Sequence, residues 1–122
     1  MYRILAVTTV FIMTSFSMAN ADQPIVVKAE AVKSSKGRYN FSVTVKHADE
    51  GWKHYVNKWD IITIDGKLLG TRELLHPHVN EQPFTRSLGD VRISEDIKKV
   101  KIRVHDSVHG YGKKEYEIEL RK

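Results

Sequence analysis

The sequence predicts an all-β fold, an immunoglobulin-like (fibronectin III-like) antiparallel β-sandwich of about seven strands. Three observations carry that expectation. Apolar residues recur at every second position along most of the chain, as in "RYNFSVTVK" from Arg38. Alternation of this kind marks strands that are buried on one face and wet on the other. Turn signals separate the runs at short intervals, at "SSKG", "ADEG" and "HGYGK". Helical periodicity never exceeds the single turn that "SEDIKK" at 94–99 could form.

The first element is not part of the sandwich. Met1-Tyr2-Arg3 is followed by an apolar run from Ile4 to Met13 and then by Ala19-Asn20-Ala21. A charged start, a short hydrophobic run and an A-x-A site make the pattern of a secretory signal peptide. The run is too short to span a bilayer, which takes about 20 apolar residues. Cleavage after Ala21 leaves one domain, 22–122, without a membrane anchor, in the periplasm or outside the cell.

The strands follow in order. The segment 24–32 sets Ile25, Val27, Ala29 and Ala31 in register. The next, 38–46, turns Tyr39, Phe41, Val43 and Val45 inward. The third, 55–64, holds Trp59, Ile61 and Ile62, and its tryptophan is placed as the core tryptophan of such sandwiches is. Asp65-Gly66 signals a tight turn, and 67–74 returns from it. A short strand, 84–88, extends through 91–93 past a kink at Gly89. The sixth, 99–106, buries Val100, Ile102 and Val104, and the last turns Tyr116, Ile118 and Leu120 inward. A small barrel is the alternative closure of the same strands.

Composition narrows the chemistry. The chain has no cysteine, and its three methionines (Met1, Met13 and Met18) precede the expected cleavage site. The core must therefore suffice without disulfides, and thiol and soft-metal chemistry are excluded. The net charge of +5 falls by one with loss of Arg3. Basic residues are scattered among acids rather than gathered in a stripe, so no nucleic-acid partner is expected.

Six histidines remain, in three pairs: His47 and His54, His76 and His78, His105 and His109. They occupy or flank the second, fourth and sixth connections. If each strand crosses the sandwich once, these connections share one end. Pro77 disfavours helix at His76, so His76 and His78 project together from an extended segment. Imidazole nitrogen suits Zn or Cu. His76 and His78 are thus the first candidate ligands, then His105 and His109, then His54 and His47. Glu81 and Asp106 are nearby carboxylates. No catalytic residue is expected, because "HDS" at 105–107 sends adjacent side chains to opposite faces of a strand.

"GWKHYVNKWDIITIDGKLLGTRELLHPHVNEQPFTRSL" and "VKIRVHDSVHGYG" resemble a family of small exported bacterial proteins without an assigned activity. The HPHxxEQPFTR block and the HDSxHG loop carry the resemblance. It implies a periplasmic or secreted β-sandwich. The expected function is binding of a divalent transition metal, Zn or Cu, by a histidine cluster. The alternative is a non-enzymatic module contacting another periplasmic protein or a small ligand. A metal-dependent hydrolase is the third possibility.

Overall fold

The computed structural model describes residues 23–121; the expected signal peptide, 1–21, lies outside them. Eight strands form: β1 (Ile25–Ser35), β2 (Arg38–Lys46), β3 (Val56–Thr63), β4 (Leu68–Glu73), β5 (Phe84–Arg92), β6 (Lys99–Asp106), β7 (Gly110–Tyr111) and β8 (Tyr116–Glu119). They make two antiparallel sheets. One has the order β1-β2-β5. The other has the order β4-β3-β6, with β7 and β8 each pairing with β6.

Two-residue periodicity builds the core. β2 sends Tyr39, Phe41, Val43 and Val45 inward, and β6 sends Val100, Ile102 and Val104 to meet them. Trp59 of β3 is fully buried between, with Phe84 of β5 close to fully so. Each such side chain contributes about 1.5–3 kcal/mol on leaving water, which explains how the domain holds together without a disulfide.

Three elements depart from the expected strands; one is β7, which pairs with the end of β6 where a turn is expected at "HGYGK". β1 runs on to Ser35 and turns into β2 through Gly37, whose φ of 71° favours glycine. β5 is continuous to Arg92, and the expected kink is a β-bulge. Phe41 faces Leu88 and Tyr39 faces Val91, so Gly89 and Asp90 together oppose Asn40. Asp90 takes a φ of 59°; Arg38 donates to its carboxylate at 2.6 Å, and its own N–H donates to Asn40 Oδ1 at 3.0 Å.

The connections after β2, β4 and β6 meet at one end. Ser107 N–H donates to the Tyr55 carbonyl at 2.9 Å, and Tyr55 N–H donates to Ser107 Oγ at 3.0 Å. His78 N–H reaches the Asp49 carboxylate at 2.8 Å. At the other end, the turn after β1 is tied to the connection after β5, where Ile93 N–H donates to the Gly37 carbonyl at 2.9 Å.

Candidate metal centre

The site is built around the end of β6. Strand alternation puts Val100, Ile102, Val104 and Asp106 on the inner face and Lys101, Arg103 and His105 on the outer. Asp106 is fully buried where the core meets the loops. Its Oδ1 accepts the N–H groups of Val108 and His109 at 2.7 and 3.3 Å, which closes the loop that follows. That loop swings His109 back over the strand end.

Three ring nitrogens converge on the other oxygen, Oδ2. His54 Nε2 is 2.7 Å away, His47 Nε2 2.9 Å and His109 Nδ1 3.2 Å. One donor atom each from His47, His54 and Asp106 lies within 4.8 Å of the others, and all three residues are buried. The rings of His47 and His54 meet edge to face at 4.9 Å, as do those of His54 and His109 at 5.0 Å. His109 is the exposed member, so the cluster opens to solvent on its side.

Carboxylates hold the far nitrogens. Asp49 Oδ1 is 2.6 Å from His47 Nδ1, and Glu50 Oε1 is 3.5 Å from His54 Nδ1. Asp49 also accepts the N–H groups of Val56 at 3.1 Å and His78 at 2.8 Å. Gln82 completes the support: its Oε1 accepts the His47 N–H at 3.0 Å, and its Nε2 donates to the His78 carbonyl at 2.7 Å. The loop before β5 is thereby fastened to the loop after β2.

Electrostatics keep Asp106 an anion. Burial works to raise its pKa, but hydrogen bonds from Val108, His54 and His109 outweigh that and hold it at about 2. For His54, burial works downward, and the hydrogen bonds and negative charges of Asp106 and Glu50 overcome it, so its pKa is raised.

The other expected ligands, His76, His78, His105 and Glu81, lie outside the cluster. His78 is buried and stacked on Phe84, with ring centroids 4.0 Å apart and planes 9° apart. Its Nε2 accepts a hydrogen bond from the Arg86 guanidinium at 2.8 Å, so a fixed cation already occupies that lone pair. Burial and the charges of Arg86 and His76 push its pKa down. His76 is exposed and donates from Nδ1 to the Pro77 carbonyl at 3.1 Å. Glu81 is exposed, 3.4 Å from Arg86. His105 sits on the outer face of β6, with Nδ1 2.6 Å from Asn57 Oδ1 and its ring against Tyr111.

The HPH segment is thus a brace, attached through the backbone of His78 and the side chain of Gln82. His76 and His78 do project from one segment, but their partners are Pro77, Arg86 and Phe84 rather than the other histidines. Of the pairs, His47 and His54 straddle the connection opposite Asp106. Asp106, three residues before His109, is the carboxylate that all three rings share.

No family model matches the sequence. A candidate lipoprotein of Halomicrobium mukohataei is 44% identical over 82 residues, 66% of this chain. The chain spans 40% of that relative's length. Among solved structures, a superoxide reductase (neelaredoxin) from Archaeoglobus fulgidus superposes with a TM-score of 0.49 at 12% identity, covering 83% of this chain and 90% of that one. A superoxide reductase from Giardia intestinalis gives 0.41 at 22% identity, covering 75% and 95%. At these scores the likeness carries no weight for the activity or the metal of this chain.

Proposed function

We propose that this is an exported binding protein for one divalent first-row transition ion, held by His47, His54, His109 and Asp106. The observation that carries the reading is the convergence of three imidazole nitrogens on one buried carboxylate oxygen, with a carboxylate behind two of the rings. Ligating histidines commonly pass their second N–H to a carboxylate, which fixes the ring and raises its basicity. A donor set of imidazole and carboxylate suits Zn²⁺, Cu²⁺, Fe²⁺ or Ni²⁺ and excludes ions that demand thiolate. Zn²⁺ and Cu²⁺ are the ions to try first. The signal-like start of the sequence and the lipoprotein relative support export. We read the sandwich as immunoglobulin-like; the orders β1-β2-β5 and β4-β3-β6-β8 agree with sheets of that type.

Calorimetric titration of the tag-free domain, 22–122, tests the reading. A one-to-one heat with Zn²⁺ or Cu²⁺ that disappears in His47→Ala/His54→Ala and persists in His76→Ala/His78→Ala is the expected result. A heat lost only in the second pair would move the site to the HPH loop. No heat with any of the four ions would leave the cluster a purely structural hydrogen-bond network.

A further inference from the structure

The end of the sandwich that carries the histidines also carries much of its exposed apolar surface. Trp52, Leu75, Val79 and Val108 are 68, 77, 53 and 57% exposed, and each sits in one of the three connections that meet there. Leu75 and Trp52 are the most exposed large apolar residues among those described. Trp52 stands edge-on to Tyr55 at 5.7 Å and leaves most of its surface to solvent. Single exposed apolar side chains are ordinary, but several on one end mark a contact surface.

Charge at this end is divided in a consistent way. Of the exposed acids, Glu50 faces His54, Glu81 faces Arg86 and Glu115 faces Lys101, while Glu73 makes no ion pair among the described residues. Lys46, Lys53, Lys113 and Lys114 are exposed, and none makes an ion pair among the described residues. The charge left over is positive.

The chain also enters the domain here. Gln23 Oε1 accepts the N–H of Lys113 at 3.2 Å, and Ile25 pairs with Lys46. The apolar run from Ile4 to Met13 precedes that point by nine residues, 14–22. Nine residues reach at most about 30 Å. While the run is held in a membrane, that reach keeps this end of the sandwich near the lipid surface, a proximity that would last until the expected cleavage after Ala21. Afterwards the residues of this end must themselves carry any contact with lipid.

We propose that the histidine-bearing end seats on an anionic phospholipid surface, with Trp52, Leu75, Val79 and Val108 entering the headgroup layer and the lysines facing lipid phosphate. A tryptophan ring is suited to that layer, where one part is apolar and the rest wet. Basic residues beside it supply the attraction to anionic lipid. The cluster's open side, at His109, then faces the membrane. The surface argument does not depend on a bound metal.

The test is co-sedimentation of the domain 22–122 with vesicles of phosphatidylcholine, alone or with 30 mol% phosphatidylglycerol, with tryptophan emission as a second readout. Every buried residue of the core falls within that segment, from Tyr39 to Leu120. Trp59 is fully buried, so a lipid-induced blue shift reports Trp52. Partition onto the anionic vesicles with a blue shift is expected. It should weaken about fivefold for each of Lys113→Gln and Lys114→Gln, and at least tenfold in Leu75→Ser/Val108→Ser. These positions are exposed, so circular dichroism and Tm should match the parent. Absence of partition at millimolar lipid overturns the proposal, as does partition indifferent to all four substitutions. A concentration-dependent dimer that the apolar substitutions abolish, without lipid binding, also overturns it and assigns the surface to a second copy. None of these outcomes alters the metal titration, so the two readings fail separately.

Discussion

Asp49 Oδ1 lies 2.6 Å from His47 Nδ1, and neither side chain reaches solvent. That bond fixes which way the His47 ring faces and keeps its Nε2 on Asp106. Asp49→Asn retains the shape but loses the charge behind the ring. Zn²⁺ affinity should fall about 10- to 100-fold, measured by calorimetry, with the circular dichroism of the parent. Unchanged affinity would remove Asp49 from the metal reading and leave it as a loop fastener.

A ligand that binds only the folded state stabilises it. At one hundred times its Kd the gain is about 2.7 kcal/mol, which for a domain of this size is a rise of roughly 10–20 °C in Tm. Scanning calorimetry with Zn²⁺ should show that rise, and EDTA should reverse it. His47→Ala/His54→Ala should show no rise at any Zn²⁺ concentration.

Asp60 predicts an acid transition independent of the metal. It is buried on β3; burial works to raise its pKa, but hydrogen bonds from Tyr111, Thr71 and Arg103, with the Arg103 charge, bring it below 3.8. A carboxylate whose folded pKa is depressed contributes stability that is fully present above its unfolded pKa. That contribution is lost as pH falls through the lower folded value. Urea unfolding at stepped pH should show the wild type weakening below about pH 4. Asp60→Asn should start less stable and fall less steeply over the same window. Parallel curves would show that Asp60 titrates alike in both states.

Phe84 bears on the core and the loop together. It is 1% exposed, and its other neighbour is the His78 ring. Phe84→Ala should cost about 3–5 kcal/mol, read from urea midpoints. It should also loosen the 75–83 segment, seen as faster amide exchange at His78. Slow exchange there would show that Asp49 and Gln82 suffice to hold the loop.

The strands were legible because alternation is a property of each segment alone. Val43 and Val45, or Ile102 and Val104, face inward for reasons visible within a few residues. The shared end of the histidine connections was also legible, since it follows from counting strands. Which rings meet was not. His47 and His54 are buried because a carboxylate from β6, more than fifty positions away, lies beneath them, and no local pattern encodes that pairing. The surroundings of His78 were hidden for a similar reason: Arg86 comes from the next strand and donates to its Nε2 at 2.8 Å. The parity of β6, by contrast, already separated His105 from Asp106.

The cross-bracing at one end has a practical corollary for protein engineering. Asp49, Gln82 and Asp106 stitch three connections into a single unit, so lengthening any of them would misalign the other two. The hairpin at Gly66 lies outside that stitching, bonded within itself through Thr63 and Lys67. Reporter peptides or fusion partners grafted there should leave the far end of the sandwich undisturbed.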